Sequence, residues 1–126
     1  MLMKRSRISD AEWEVMEVIW SRSPLTASEI IDSLAPHTSW APTTIRTMLA
    51  RLADKKIVSI QKEGGSVSFR PRVSREECVH QESESFVERV FGGATNPLLL
   101  HFVKKADLSP EEIRELQRIL KKKGES

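Results

Sequence analysis

Residues 40–52 carry their apolar side chains at helical spacing. Positions i, i+3, i+4 and i+7 are filled by Ile45, Met48, Leu49 and Leu52. This spacing places apolar side chains on one buried stripe of a helix. At about 100° per residue, the opposite side holds Thr43, Arg46, Thr47 and Ala50. The pattern predicts a helix over residues 42–56 that has a core face and a small, polar face with one guanidinium group.

Four helix starts are marked by the same junction, in which an apolar residue precedes a Ser or Thr and a Glu follows three positions later. This is a capping box with a hydrophobic staple. The four pairs are Ser9 with Glu12, Thr26 with Glu29, Ser74 with Glu77, and Ser109 with Glu112. Two further helices are predicted to begin at Pro42 and at Asn96-Pro97, although Ala41 offers no side-chain cap before Pro42. Pro36 ends the second helix, and Gly92-Gly93 ends the fourth near Phe91.

A hairpin is predicted after the third helix. Residues 57–61 and 67–69 alternate apolar and polar side chains, and Gly64-Gly65 lies between them. Three helices followed by a hairpin is the order of a winged helix-turn-helix, in which the second and third helices form the DNA-reading pair. We therefore predict a mainly α fold with a small β-hairpin, consisting of a winged helix domain at residues 1–73 and a helical domain at residues 74–126.

The polar face of the third helix has the chemistry of a DNA-reading surface. Short side chains allow a helix to enter a major groove, and an arginine can donate two hydrogen bonds to O6 and N7 of guanine. Threonine can contact thymine methyl groups or phosphates. A solvated helix face remains the alternative for this segment taken alone.

The C-terminal helices have apolar faces but too little chain for a core of their own. We expect a homodimer to bury these faces and to hold two reading helices about one DNA turn, roughly 34 Å, apart. Packing of this region onto its own winged domain is the alternative. The predicted dimerisation residues are Val79, Phe86, Val90, Leu98, Leu99, Leu100, Phe102, Val103, Ile113, Leu116 and Leu120.

The composition, the charge distribution and the absence of certain motifs limit the functions that we expect of this chain. The net charge is +2, but residues 1–75 hold 12 Lys and Arg against 8 Asp and Glu, which places the basic surplus beside the predicted reading helix. Cys78 is the single cysteine, and His37, His80 and His101 lack ligand spacing, so we predict no metal and no cofactor. We expect a cytoplasmic protein without a signal peptide or membrane span, and not an enzyme, because nucleophile-elbow and phosphate-loop motifs are missing.

Two stretches resemble the BlaI/MecI-type penicillinase repressor family. These are residues 8–16, Ile-Ser-Asp-Ala-Glu-Trp-Glu-Val-Met, and residues 40–52, Trp-Ala-Pro-Thr-Thr-Ile-Arg-Thr-Met-Leu-Ala-Arg-Leu. Residues 91–93, 100–103 and 107–109 are also similar to the C-terminal half of the family. The resemblance implies a bacterial, homodimeric repressor on a double-stranded dyad operator, ahead of β-lactamase or related genes and often beside a sensor-protease partner.

The resemblance also implies roles for individual residues. Thr44 and Arg46 match base-reading residues, whereas Thr43 stands where a lysine is common. Thr47 and Arg51 would meet phosphates, as would Thr26 and Ser28 through hydroxyl and amide donors, and the hairpin would contribute Lys62 and Ser66. Together these are the predicted DNA-binding residues.

The sequence is compatible with more than one mechanism of release from DNA. The best-known members are derepressed by proteolysis at an Asn-Phe bond, and His101-Phe102 occupies the matching position without the asparagine. A repressor gated by a small apolar ligand among the C-terminal helices is one alternative function. A winged helix that docks proteins instead of DNA is another.

Overall fold

The computed structural model describes residues 7–125, apart from the side chain of Thr95. The helices are α1 (Asp10–Ser21), α2 (Ala27–Leu34), α3 (Pro42–Asp54), α4 (Arg75–Phe91), α5 (Thr95–Lys105) and α6 (Pro110–Gly124). The strands are β1 (Leu25–Thr26), β2 (Val58–Glu63) and β3 (Ser66–Pro71). The chain forms two compact units that meet between Ser83 and Glu84.

The N-terminal unit has one apolar core built from the first three helices and the sheet. Val15, Met16 and Ile19 of α1 are fully buried, as is Ile30 of α2. The predicted stripe of α3 is also buried, and the predicted cap residues Ser9 and Thr26 form complete capping boxes. Local signals and core packing therefore agree on where these helices begin and which face they bury.

The sheet has three strands rather than the two of the predicted hairpin. β3 lies in the centre and pairs antiparallel with both β1 and β2. Gly64 and Gly65 form the turn with φ of 53° and 82°, a conformation that glycine adopts without steric cost. The additional strand β1 is only two residues long, and its second residue, Thr26, is also the N-cap of α2. The sequence pattern at Thr26 therefore indicated the start of the helix and not the strand.

The first half of α4 belongs to the N-terminal unit. Cys78 is buried in the core of this unit together with Val73, and the indole Nε1 of Trp20 donates to the Val73 carbonyl at 2.9 Å. Arg75 forms an ion pair with Glu17 at 2.7 Å. The compact N-terminal unit thus reaches Ser83, inside the continuous helix α4, and the division into domains at residue 73 stays a prediction.

The C-terminal unit leaves most of its apolar side chains exposed, although Val87 is buried and Leu98 is half-buried. Gly92 and Gly93 end α4 with positive φ, and Ser109 caps α6 through a complete capping box, as predicted. None of the side chains described in residues 96–125 is buried. Its exposed apolar residues are Phe86, Val90, Leu99, Leu100, Phe102, Val103, Ile113, Leu116, Ile119 and Leu120, and Val79 in the first half of α4 is exposed as well.

Candidate nucleic-acid interface

α3 separates a buried face from an exposed polar face. Ile45, Leu49 and Leu52 are at most 1% exposed and hold the helix against the core. The opposite side projects outward and consists of Thr43, Arg46, Thr47 and Ala50, with Thr44 and Arg51 exposed beside it. Because the core fixes one side of α3, the exposed side is presented as a rigid surface.

The N-terminus of α3 is open to an anion. Ala41 provides no side-chain cap, Pro42 has no amide hydrogen, and the first turn has no acidic residue. In the part of the chain that the structure describes, the Thr43 amide has no hydrogen-bond acceptor. A helix N-terminus in this state carries partial positive charge and one free amide donor, which suits a phosphate.

The N-terminus of α2 is already occupied by the protein's own groups. The Glu29 amide donates to Thr26 Oγ1 at 3.2 Å, and the Thr26 amide donates to the Glu29 carboxylate at 2.9 Å. The hydrogen bond from the Thr26 amide lowers the pKa of Glu29. The predicted amide donor of Thr26 is therefore engaged, and the hydroxyl groups of Thr26 and the exposed Ser28 remain as candidate contacts.

The C-terminal end of α3 is anchored by a partly buried ion pair. Lys55 Nζ donates to Glu12 Oε1 at 2.7 Å and to the Arg7 carbonyl at 2.9 Å. Burial would raise the pKa of Glu12, but hydrogen bonds from Lys55 and the Ser9 amide, together with the Lys55 charge, lower it. Lys55, counted within the basic surplus of the sequence, is thus committed to holding α3 against α1.

The hairpin carries its two predicted contact residues on opposite faces. Lys62 lies opposite Val67, whereas Ser66 lies opposite Glu63. Side chains alternate between the faces of a strand, so Lys62 shares the face of Val67 and Phe69 and Ser66 shares the other. Both residues are exposed near the glycine turn, but a flat surface could meet only one of them.

Sequence reasoning missed Arg70 as a candidate contact. Arg70 Nε donates to Gln61 Oε1 at 2.8 Å, which holds an exposed guanidinium on the outer face of the sheet. Ser68 and Thr26 are paired residues on that same face. The period-2 alternation could have indicated Arg70, because Ser66, Ser68 and Arg70 alternate with Val67 and Phe69 and so share the polar face of the strand.

Three cations of this surface differ from four arginines elsewhere in the described chain, which pair with glutamates. Arg46, Arg51 and Lys62 make no ion pair within the described chain. By contrast, Arg7, Arg75, Arg114 and Arg118 each pair with a glutamate. An arginine that keeps all its donors free can bind a phosphate or a guanine without first breaking an internal bond.

A metal centre receives no support from residues 7–125. No group of three or more His, Cys, Asp or Glu side chains there could hold an ion. Cys78 is a buried free thiol in the N-terminal core.

Comparison with known proteins decides the family. The family model of the penicillinase repressor matches residues 8–122. This chain belongs to the penicillinase repressor family. Its membership agrees with the resemblance seen in residues 8–16 and 40–52, and a repressor family is not an enzyme family.

Two curated members of the penicillinase repressor family show how far the similarity extends. The methicillin resistance regulatory protein MecI of Mammaliicoccus sciuri is 38% identical over 120 residues, which are 95% of this chain and 98% of that protein. The penicillinase repressor of Bacillus licheniformis is 40% identical over 119 residues, covering 94% and 93% of the two chains. The match therefore includes the C-terminal helices as well as the winged domain.

Two solved structures cover the winged part of this penicillinase repressor family member. The solution structure of the DNA-binding domain of the repressor BlaI has a TM-score of 0.54 at 39% identity, covering 60% of this chain and 93% of that one. The Bacillus licheniformis BlaI monomer in complex with the blaP half-operator has a TM-score of 0.53 at the same identity and coverage. These likenesses confirm the predicted winged helix. Within the described residues, no helix is long and apolar enough to cross a membrane.

Proposed function

We propose that this protein is a homodimeric bacterial repressor that binds a dyad DNA operator through α3 and controls β-lactamase or related resistance genes from the cytoplasm. The observation that carries the proposal is the exposed face of α3. Arg46 and Arg51 are unpaired there, and the N-terminus of the helix is uncapped and has no acidic residue in its first turn. Relatives named as penicillinase or methicillin resistance regulators, and a BlaI complex with a half-operator, support it.

The roles within the interface follow from the side chains. Arg46 has the reach and the two parallel donors for a guanine, and Thr44 lies exposed beside it. Arg51 and the Thr43 amide suit phosphates that flank the groove. The hydroxyls of Thr26 and Ser28 and the side chains of Ser66 and Arg70 are proposed as outer contacts that fix the register of the domain on DNA. Lys62, on the other face of the hairpin, is the alternative contact to Ser66.

A second copy of the chain is the proposed partner for the uncovered apolar helices. The stripe of Ile113, Leu116 and Leu120 on α6 has Glu111 and Glu112 at one end, and Lys121, Lys122 and Lys123 follow it at the other. An antiparallel α6 from a second copy would bring the acidic end of each helix to the basic end of the other. Self-complementarity of this kind is what a two-fold interface requires.

Replacing Arg46 with Ala should weaken specific DNA binding by about 1–3 kcal/mol, or roughly 5- to 150-fold, because a bidentate contact to guanine is lost. The measurement is a binding titration of the full chain on a duplex selected from a random pool, with a base-scrambled duplex beside it. Arg89→Ala serves as the matched control, since Arg89 is exposed on α4.

Two outcomes would contradict the DNA-reading role of Arg46. Equal affinity of wild type and variant would mean that Arg46 makes no contact, as expected for a winged helix that docks proteins. An equal loss on the scrambled duplex would reduce Arg46 to a phosphate contact. For the wild-type protein, the logarithm of the association constant should also fall linearly with the logarithm of the salt concentration. The expected slope is near −0.9 for each phosphate neutralised.

Release from the operator by a sensor protease is the proposed induction route, with His101-Phe102 in α5 as the bond to examine. Both side chains are exposed, but the bond lies inside a helix, so cleavage requires α5 to open locally. Co-expression with a cognate sensor protease should yield a fragment ending at residue 101 by mass spectrometry. Induction that leaves the chain intact would exclude this route.

A further inference from the structure

We propose that Thr47 determines base specificity by presenting its methyl group to the C5 methyl group of a thymine, and that its hydroxyl does not bind phosphate. The inference rests on the proposed function, since it takes α3 to be the helix that enters the major groove. It deepens that function by assigning one base type to one side chain.

The hydroxyl of Thr47 is already used inside the helix. Its Oγ1 donates to the carbonyl oxygen of Thr43 at 2.9 Å. A hydroxyl has one hydrogen, and a phosphate oxygen only accepts hydrogen bonds. A phosphate contact through this hydroxyl would therefore require the internal bond to break first.

The neighbouring threonines are in a different state. Thr43 and Thr44 are exposed, and neither hydroxyl has a hydrogen-bond partner among the described residues. Both remain available to phosphates or to polar base edges. The three threonines of the reading helix are chemically alike in sequence but divide into two with free hydroxyls and one whose hydroxyl is engaged.

The remaining group of Thr47 is apolar. With Oγ1 turned toward the preceding turn, the Cγ2 methyl is left to meet an approaching base. Ala50 places a second exposed methyl about one turn further along the same face. In the major groove only thymine offers a methyl group among the four bases, so an apolar contact there distinguishes thymine from cytosine.

The experiment removes the two methyl groups in turn, one from the DNA and one from the protein. The DNA is an operator duplex selected by the full-length wild-type protein, and each thymine is replaced singly by deoxyuridine, which lacks only the C5 methyl. The expected result is about a fourfold loss of affinity at one thymine in each half-site, as for exposing one buried methyl group. Replacement of thymines outside the half-sites serves as the DNA control.

Two matched variants separate the methyl from the hydroxyl. Thr47→Val keeps a methyl group and loses the hydroxyl, so it should stay within about twofold of wild type and keep its sensitivity to deoxyuridine. Thr47→Ser keeps the hydroxyl and loses the methyl, so it should bind about fourfold more weakly and no longer distinguish thymine from deoxyuridine at that site. Valine and serine have helix propensities similar to threonine, and melting curves verify that both variants are folded.

Several results would overturn the assignment. A loss of affinity in Thr47→Val with none in Thr47→Ser would show that the hydroxyl carries the contact. Retained deoxyuridine sensitivity in Thr47→Ser, or no sensitive thymine in either half-site for the wild-type protein, would remove the methyl pairing. Failure of the proposed function looks different, because no specific duplex would then be recovered from the random pool by the wild-type protein.

Discussion

Removing residues 84–126 should lower affinity for a dyad operator by about 10²- to 10⁴-fold, because the two half-site contacts would no longer be linked. The remaining chain should still fold as a monomer and bind a single half-site. The cut after Ser83 keeps Cys78 and Val73 in the core and retains the Arg7–Glu82 ion pair. Sedimentation and titrations on full and half operators measure both effects.

Point variants test the same interface without truncation. Ile113→Gln with Leu116→Gln interrupts the apolar stripe of α6 and should give monomers. Arg114→Gln with Arg118→Gln is the control, because it introduces glutamine at two positions on the opposite, charged side of that helix, where two surface ion pairs contribute little. A dimer that survives the first pair, or tight operator binding by residues 1–83, would contradict the proposed interface.

Replacing Lys55 with Met should destabilise the N-terminal unit by about 3 kcal/mol, because it leaves the Glu12 carboxylate buried without its cation. The Glu12 side chain is 3% exposed, and its Oε2 has no hydrogen-bond partner in the described chain. Chemical denaturation of the winged unit, monitored by tryptophan fluorescence, measures the change in the free energy of unfolding. Lys56→Met, at an exposed neighbouring residue, is the control.

The loss of stability in Lys55→Met should depend on pH in a defined direction. In wild type the pKa of Glu12 is lowered by Lys55 and Ser9, so its contribution is present above the unfolded value near 4.5 and disappears as pH falls through the lower folded value. Without Lys55, burial should raise the folded pKa. The stability difference between wild type and Lys55→Met should therefore narrow as pH falls from 7 toward 4.5.

A double-variant cycle isolates the ion pair. Glu12→Gln combined with Lys55→Met removes the buried charge and should be less destabilised than Lys55→Met alone. A pH-independent loss, or additive effects of the two substitutions, would show that Lys55 acts only by packing. Either result would contradict the proposal that this ion pair anchors the end of α3.

Much of the winged fold was predictable because its signals are local. The capping pairs at Ser9, Thr26 and Ser109 each involve residues three apart, and all three form as predicted. The buried stripe of α3 follows from helical spacing alone. Strand β1 escaped prediction because two residues are too few to show a period, and their pairing partner lies more than 40 residues away in β3.

The candidate interface was predictable as a surface but not in its detailed chemistry. Helical rotation put Arg46 and Thr47 on one face, yet only the three-dimensional contacts show that Lys55 is bound to Glu12 and that the Thr47 hydroxyl is bound to Thr43. Similarly, strand register separates Lys62 from Ser66 and brings Arg70 beside Gln61.

The order of residues alone specifies where the helices begin, which face of the reading helix is buried, and which family the chain resembles. These properties depend on residues within two helical turns of one another or on motifs read in order. Packing in three dimensions sets which cations remain free and makes the first half of α4 part of the winged core. Those outcomes depend on contacts between residues far apart in the chain, such as Glu12 with Lys55 and Trp20 with Val73.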